Sequence, residues 1–393
     1  MSAPLAPSDT PPSIFSVISA LARKHEAVNL GQGFPDFDPD PELTARLSFH
    51  TQHGRNQYAP PAGVPRLLRA IAQKVKRCHE LDVDPGQEIT ISSGATQAIW
   101  TTVQAIVRPG DEVIIFEPAY DSYAPAVRSA GGTVVPVVLR GPHFLPDWTS
   151  FAERLTDRTR LVIINNPHNP TGTCWRDEDL RELARLLRPT STLLLSDEVY
   201  EHIVFDGRPH RCALSYPGLR DRTFVTASFG KTFHVTGWKV GYVLAHPILM
   251  QHYRALHQYT VFTVNTPAQH ALADYLAEPR HYLNLGQFFQ AKRDRLIAAL
   301  ADTPLRLLPS AGSYFLLADY GAISNEKDGH FARWLIEEHG VATIPISPFY
   351  SEPVPRQRYV RFCFAKRAAT LDAAAKRLAA LGRTHLAPTQ IPS

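Results

Sequence analysis

The stretch Ser228-Phe-Gly-Lys-Thr-Phe-His-Val-Thr-Gly-Trp-Lys-Val-Gly241 sets two lysines between two apolar segments. Val225–Ser228 predicts the end of a buried strand, and Val240–Leu244 predicts a second strand. Lys231 is therefore expected where a strand opens into a loop, beside small hydroxyl and glycine residues. A partly desolvated ammonium loses its proton more easily, and the neutral amine can form a Schiff base with an aldehyde. Because an isolated lysine is more often a solvated surface charge, this chemistry depends on what the rest of the chain supplies.

The bulk composition is typical of a soluble globular protein, with 393 residues of which 44% are hydrophobic and 20% charged. This length exceeds one small core and predicts a large domain together with a smaller one. The net charge is only +4 and the basic residues are dispersed, which argues against nucleic-acid or membrane binding. No apolar stretch is long enough to cross a bilayer, and the first residues lack a secretory pattern.

The cysteines bear on metal binding and on the cellular compartment. Cys78, Cys174, Cys212 and Cys363 lack the spacing of a metal site or a redox pair. We therefore expect separate reduced thiols, no bound metal and a cytoplasmic location.

Strand and helix patterns alternate between residues 89 and 245, which predicts an α/β fold with a mostly parallel sheet flanked by helices. From about residue 286 onward, separate strands and helices predict a smaller α+β domain. Residues 1–12 and 383–393 are predicted to be mobile. The predicted units are an N-terminal arm with part of the small domain (1–45), a large domain (46–285) and a C-terminal small domain (286–393).

Small residues follow the β-branched run that begins at Ile89, and a helix is predicted from about Ala95 to Val107. Free amide groups at a helix start, with little side-chain bulk around Gly94, Ala95 and Thr96, favour an anion such as phosphate. A tight turn without any ligand explains these residues equally well.

Polar side chains are predicted at the carboxyl ends of three further strands, where ligands bind in open α/β sheets. Tyr120 follows one of these strands, and Asn169 lies in a turn-rich string after the next. Asp197 ends the apolar run that begins at Leu193. A carboxylate in that setting needs a partner, and either a protonated pyridinium nitrogen or an internal salt bridge would satisfy it.

These segments, together with Asn29–Phe37 and Val360–Phe364, resemble the class I/II aminotransferases over nearly the whole chain. These are the fold-type I pyridoxal phosphate enzymes. Within that family the chain looks most like the methionine aminotransferases and the kynurenine and glutamine transaminases. The resemblance implies pyridoxal 5'-phosphate as cofactor, an amino acid and a 2-oxo acid as substrates, and a homodimer with shared active sites.

The resemblance also assigns roles to residues. It implies that Lys231 holds the cofactor aldehyde and then moves the substrate proton, while Asp197 keeps the pyridinium charged. Tyr120 is expected to stack on the ring, and Asn169 and Tyr200 to bind its phenolate oxygen. The phosphate would be held by Gly94, Ala95, Thr96, Ser228 and Lys239, and by Tyr58 of the other subunit. Many relatives carry arginine at position 239, and lysine offers a point charge instead of a planar fork.

For the substrate, the resemblance implies that Arg361 grips the α-carboxylate at two points. Without the resemblance, a surface-facing arginine in an edge strand would be favoured. No second arginine for a distal carboxylate can be placed, so neutral donors are expected, methionine first and then phenylalanine, tyrosine, histidine or kynurenine. The other residues expected to border the substrate are Gly33, Asn169, Ile14, Phe15 and Phe262.

Two alternative functions stay open. A cysteine-S-conjugate β-lyase would use the same carbanion to expel a leaving group. A non-catalytic regulator that binds pyridoxal phosphate would carry an extra DNA-binding domain, for which we expect no room at the N-terminus.

Overall fold

The computed structural model describes residues 12–354 and 357–383. The mobility predicted for residues 1–12 and 383–393 therefore falls almost entirely outside the described residues. Within them, no helix combines the length and the apolarity needed to span a bilayer.

The strands and helices follow one another along the whole described chain. The strands are β1 Val28–Asn29, β2 Ile89–Ser92, β3 Glu112–Glu117, β4 Thr133–Val138, β5 Thr159–Asn165, β6 Leu193–Asp197, β7 Thr223–Ser228, β8 Gly241–Ala245, β9 Arg306–Leu307, β10 Phe315–Asp319, β11 Val341–Ala342, β12 Ile344–Pro345 and β13 Tyr359–Cys363. The helices are α1 Ile14–Lys24, α2 Pro41–Gln52, α3 Pro65–His79, α4 Gly94–Ile106, α5 Tyr123–Ser129, α6 Trp148–Arg154, α7 Asp177–Leu187, α8 Pro217–Arg220, α9 Phe229–Thr232, α10 Pro247–Thr260, α11 Thr266–Leu276, α12 Arg280–Leu283, α13 Leu285–Leu300, α14 Asp328–His339 and α15 Ala368–Leu378.

A seven-stranded sheet in the order β2-β8-β7-β6-β5-β3-β4 forms the centre of the described residues. Strand β8 runs antiparallel to both of its neighbours, and the other pairs are parallel. The predicted α/β fold with a mostly parallel sheet is thus confirmed. Because β3, β5, β6 and β7 run in one direction, the side chains that end them meet at the same edge.

Helices cover both faces of this sheet, and the alternation of side chains along each strand decides which helix is contacted. Val113 and Ile115 of β3 pack in one buried cluster with Val103 of α4. Ile114 packs on the opposite face, in the cluster that contains Leu180 of α7. Strands that are buried on both faces explain the nearly continuous apolar runs in the sequence.

A second sheet, in the order β12-β13-β10-β9, is antiparallel and lies in the C-terminal part of the chain. The N-terminal strand β1 pairs in parallel with β11, and the amide of Cys363 donates to the carbonyl of Leu30. The N-terminal segment therefore packs with C-terminal elements. The positions of the domain boundaries stay predictions.

The loop predicted around Lys231 is wrong in its local geometry. Lys231 lies in the one-turn helix α9, which follows β7 without an intervening loop. The amide of Phe233 donates to the carbonyl of Phe229, and the Thr232 hydroxyl donates to the carbonyl of Ser228. These bonds close a single helical turn. Apolar periodicity cannot reveal it, because a helical pattern is recognised only over several turns.

A buried ion pair links α3 to the segment that follows β6. The Lys74 ammonium lies 2.5 Å from a carboxylate oxygen of Glu201, and the hydroxyl of Tyr242 donates to the other oxygen at 3.0 Å. Lys74 is 2% exposed. Since Glu201 directly follows Tyr200, this pair connects the core of the large sheet to a predicted site residue.

We expect Lys74→Met to lower the free energy of unfolding by about 3–5 kcal/mol, because it leaves the Glu201 carboxylate buried without its cation. Lys76→Met on the same helix is the matched control, since its pair with Asp82 is largely exposed, and it should change stability by less than about 0.5 kcal/mol. Urea denaturation of both variants measures the difference, and equal stabilities would contradict the assignment.

Candidate active site

A cavity of about 200 Å³ opens at the carboxyl edge of the large sheet, beneath the N-terminal segment and strands β10 and β13. Ten of the residues predicted for the site line this cavity: Phe15, Gly33, Ala95, Thr96, Tyr120, Asn169, Asp197, Tyr200, Lys231 and Arg361. Its wall also contains residues that the sequence did not single out: Gln32, Phe34, Ile99, Asn165, Val199 and Phe315.

The Lys231 side chain reaches into the cavity from α9. Its ammonium donates to the carbonyl of Gly33 at 3.2 Å, and its nitrogen lies 5.7 Å from the ring centre of Tyr314. Burial lowers the pKa of Lys231 to about 8, and the nearby Arg361 guanidinium acts in the same direction. At neutral pH roughly a tenth of these side chains then carry a neutral amine, which is the form that attacks an aldehyde.

Asp197 ends β6 and is 4% exposed. The hydroxyl of Tyr123 donates to its carboxylate at 2.6 Å, and the amide of Val199 donates to the other oxygen. Burial raises the pKa of Asp197 to about 6, while these two hydrogen bonds oppose the rise. No cation among the described residues lies within ion-pair distance of this carboxylate, so the internal salt bridge considered from the sequence is not present there.

Arg361 lies in β13, and 1% of it is exposed. Its guanidinium donates to the side-chain oxygen of Asn169 at 2.7 Å and to the carbonyl of Gly31 at 3.0 Å, and it stacks 3.9 Å from the ring centre of Phe315. Its Nε is buried without a partner among the described residues. The central position of β13 between β12 and β10 excludes the surface-facing edge strand.

This guanidinium is a buried cation whose protein partners are neutral. Burial lowers the pKa of Arg361 to about 10. A carboxylate is the ligand that would best offset such a desolvation penalty. Because the oxygen of Asn169 already accepts from Arg361, the amide nitrogen of Asn169 is the group left to donate to a ligand.

Two tyrosines whose rings lie near the Lys231 nitrogen have their pKa raised by burial. Tyr200 and Tyr314 meet edge to face with ring centres 5.0 Å apart, and the Tyr314 hydroxyl donates to Gly33. Burial also raises the pKa of Tyr120, which lies above the cavity beside Thr96. All three phenols therefore stay protonated donors at neutral pH.

The predicted phosphate residues gather at the corner where β2 and β7 end and β8 begins. Gly241 is paired with Ser228 on one side and with Ser92 on the other. A Cβ placed on Gly94 would lie 3.1 Å from the Lys239 ammonium nitrogen. The first turn of α4 has no acidic side chain and no side-chain cap. A helix start with free amides and an adjacent ammonium forms an anion site.

Lys239 reaches this corner through an uncommon backbone conformation. Its φ is 54° and its ψ is 50°, in the left-handed region that residues other than glycine rarely adopt. Lys239 is exposed and does not line the 200 Å³ cavity itself.

Three predicted residues, Ile14, Tyr58 and Phe262, lie neither in the cavity wall nor at the corner beside Gly94. Ile14 neighbours Phe15 on α1 and packs against the core instead, because adjacent helix positions face different directions. Tyr58 and Phe262 lie on the surface, 80% and 43% exposed, with their rings edge to face at 5.3 Å. Their predicted role depends on a second subunit and is not tested by one chain.

Tyr123 is the main functional residue that sequence reasoning missed. It lies three positions after Tyr120, on the first turn of α5, and its hydroxyl reaches Asp197. The only sequence signal was a second tyrosine near a strand end. Asn165 was also missed, although it ends β5 beside Asp197 and its side-chain oxygen accepts from the amide of Asn169.

A group of three potential metal ligands lies outside the cavity, formed by Asp40, Glu42 and His281. Asp40 accepts from the amide of Glu42 and from the hydroxyl of Tyr275, and Glu42 is paired with Arg46. These contacts explain the group without a metal, and the expectation that none is bound stays a prediction.

Comparison with known proteins supports the same chemistry as the geometry of the cavity. The model of the family described as aminotransferase class I and II matches residues 25–378. The chain belongs to the class I and II aminotransferases. It is therefore an enzyme of a family that depends on pyridoxal phosphate.

Individual relatives share nearly the full length of the chain. Methionine aminotransferase of Escherichia coli K12 is 50% identical over 95% of this chain and 98% of its own. Kynurenine–oxoglutarate transaminase 1 of Mus musculus is 37% identical over 91% and 92%. A crystal structure from Escherichia coli, reported with a methionine aminotransferase function, superimposes with a TM-score of 0.93 at 49% identity and covers 96% of this chain and 100% of its own.

The residues present fit pyridoxal phosphate on two observations. The room beside Gly94, which a Cβ would fill, faces an ammonium and free helix amides, as a phosphate requires. Asp197 is a buried carboxylate without a cationic partner among the described residues, as a charged ring nitrogen requires. The Lys231 amine lies in the same cavity as Asp197.

We expect the rate at which the apoprotein captures pyridoxal phosphate covalently to rise with pH through a midpoint near 8 and to level off about one to two pH units higher. The reason is that the lowered pKa of Lys231 leaves about half of the amine neutral at the midpoint and nearly all of it neutral above that range. Borohydride trapping at a series of pH values measures the rate, and Lys231→Ala should trap nothing. A rise that continued to the ordinary lysine pKa of about 10.4 would contradict the burial argument.

Tyr123→Phe should weaken binding of pyridoxal phosphate by roughly tenfold or more, since hydrogen bonds to charged groups contribute about 1.5–3 kcal/mol. Without the phenol the pKa of Asp197 rises further, and less carboxylate is present at neutral pH. Equilibrium dialysis gives the dissociation constant. Tyr216→Phe is the control, because it removes a hydroxyl that donates to Asp177 at 2.8 Å outside the cavity, and an equal loss there would refute the specific role of Tyr123.

Proposed function

We propose that this aminotransferase takes its amino group from a neutral amino acid, methionine first and aromatic or kynurenine-like donors next, and passes it to a 2-oxo acid. One observation carries the substrate class: among the described residues, Arg361 is the single guanidinium in the cavity wall. The described cavity wall therefore offers one guanidinium, which would bind one carboxylate of the substrate. The wall also contains Phe15, Phe34 and Ile99, which suit an apolar side chain.

The chain's own residues divide the work of the reaction. Bound pyridoxal phosphate supplies an electron-withdrawing ring. Arg361 binds the α-carboxylate and orients the Cα–H bond, since a fork of donors fixes direction as well as position. The neutral amine of Lys231 would then take the proton from the substrate α-carbon and, as an ammonium, deliver it to the former aldehyde carbon of the cofactor, acting first as general base and then as general acid. Asp197 keeps the ring nitrogen protonated.

The remaining residues hold the reacting groups in place. Tyr120 would cover the ring, and Tyr200 and the amide nitrogen of Asn169 would donate to its phenolate oxygen. Gly33 lies beside Lys231 and accepts from its ammonium. Gly94, Ala95, Thr96, Ser228 and Lys239 would hold the phosphate at the corner of the sheet.

A cysteine-S-conjugate β-lyase activity is the second candidate, because removal of the same proton allows a leaving group on the β-carbon to depart. The kynurenine–oxoglutarate transaminase relative and the methionine aminotransferase relative both favour transamination as the main outcome. The regulatory alternative has no support, since the chain spans 98% of an enzyme that is 50% identical.

The proposal is tested with a panel of amino acids, each offered with several 2-oxo acids. Methionine should give the highest kcat/KM and aspartate roughly a hundredfold less, because no second guanidinium would pair its distal carboxylate. Release of pyruvate from a cysteine conjugate, measured without a 2-oxo acid, quantifies the lyase reaction. Preference for aspartate, or pyruvate release that outpaces methionine turnover, would overturn the proposal.

Arg361→Lys should lower kcat/KM for every donor by roughly a hundredfold, since it keeps a charge and loses the fork. The loss is expected to be the same factor for methionine, phenylalanine and tyrosine. A loss confined to one donor would mean that Arg361 contacts the side chain of the substrate.

We also propose a homodimer with shared active sites and a cytoplasmic location. The pair of exposed aromatic rings, Tyr58 and Phe262, supports an interface, because large apolar groups on a surface commonly mark one. Four cysteines without disulfides are compatible with a reducing compartment.

Phe262→Asp should shift the protein toward monomer, because it would bury an unpaired carboxylate in the interface. Sedimentation equilibrium measures the mass of the particle. Tyr259→Asp is the control, since Tyr259 is 84% exposed nearby without a ring partner of its own in the described chain. A wild-type monomer would disprove the dimer outright.

A further inference from the structure

The segment Gly31–Phe34, which we call the N-terminal strap, offers four consecutive carbonyl groups to cationic side chains. Arg361 donates to Gly31, and Lys231 donates to Gly33. The remaining two carbonyls, those of Gln32 and Phe34, both accept from one ammonium group, that of Lys366, at 3.2 and 2.8 Å. Three buried or partly buried cations thus share one short stretch of backbone.

Lys366 differs from the other two cations because it does not line the cavity. It is 3% exposed, and no carboxylate of the described residues lies within ion-pair distance. Its nitrogen also lies 5.3 Å from the ring centre of Phe34. A buried ammonium with only neutral acceptors is a poor source of stability. We therefore look for its role in the geometry that it imposes.

Gly33 lies between the two residues whose carbonyls accept from Lys366, and contacts with its own carbonyl and Cα restrict its position. Its carbonyl accepts from Lys231 at 3.2 Å and from the Tyr314 hydroxyl at 2.7 Å. A Cβ on Gly33 would lie 3.1 Å from the ring of Phe315 and 3.9 Å from Arg361. A displacement of the strap by one ångström would therefore alter the contacts of both active-site cations.

The backbone around Lys366 is anchored independently of the cavity. Its carbonyl accepts from Lys292 at 2.7 Å, and the next amide, that of Arg367, donates to Asp36 at 2.6 Å. Asp36 also accepts from the hydroxyl of Thr370 on α15. The C-terminal part of the chain is thus fastened to the segment immediately after the strap.

We propose that Lys366 is a positioning residue for substrate binding. Its ammonium fixes the carbonyls of Gln32 and Phe34, and thereby holds Gly33 and Gly31 where Arg361 meets the substrate carboxylate. This inference rests on the proposed function, because it presumes that Arg361 binds that carboxylate.

The test replaces Lys366 by methionine, which keeps the apolar stem and removes the charge. The KM for methionine should rise about tenfold while kcat changes less than about threefold, because the strap affects capture of the carboxylate more than proton transfer. Methylthiobutanoate, the analogue of methionine without its amino group, should bind about tenfold more weakly to the loaded enzyme. Lys366→Arg should restore both values to within about threefold, since a guanidinium can also donate to two carbonyls.

Arg295→Met is the matched control, because it breaks an exposed ion pair with Asp372 between α13 and α15 and should leave KM unchanged. If Lys366→Met does not fold, Lys366→Gln keeps a neutral polar group whose shorter side chain would not reach both carbonyls, and it should show the same shift in KM. Unchanged KM and unchanged analogue binding in a folded variant would overturn the proposal, as would a loss that Lys366→Arg does not rescue. If the wild type ignores methionine, the proposed function fails, and the preferred donor with its deaminated analogue then tests Lys366.

Discussion

The active site depends on two buried cationic side chains that have no carboxylate partner among the described residues. Lys231 and Arg361 lie in one cavity, and burial lowers the pKa of each, to about 8 and about 10. Their protein partners are mainly carbonyl oxygens, an amide oxygen and aromatic faces. These neutral partners stabilise the cations enough for folding, and they leave each cation ready to exchange its partner for a ligand.

The large sheet makes this arrangement possible, because parallel strands deliver their last residues to one edge. Asn165, Asp197 and Ser228 end three adjacent strands; Asn165 is in register with Asp197, and Ser228 lies two residues beyond the register partner of Asp197. The antiparallel strand β8 then returns Gly241 to the same corner, close to the start of α4. The smaller antiparallel sheet supplies Arg361 from the opposite side, so the cavity forms only when both sheets are assembled.

The sequence predicted the sheet and most of the cavity wall because both depend on local patterns. Apolar β-branched runs mark the strands, and residues such as Asp197 are conspicuous where such a run ends. Lys231 was placed correctly at the end of its strand and wrongly in a loop, because one helical turn leaves no periodicity. Tyr123 and Lys366 could not be found, since their roles arise from contacts with residues 74 and more than 300 positions away, respectively.

The left-handed backbone of Lys239 has a consequence for how this enzyme tolerates change. A side chain in that region is held at an energetic disadvantage of about 1–2 kcal/mol relative to a relaxed one. Glycine would relieve the disadvantage and at the same time remove the ammonium beside Gly94. A chain with glycine at this position would accordingly be more resistant to heat, and under the role proposed for Lys239 it would hold its cofactor less tightly.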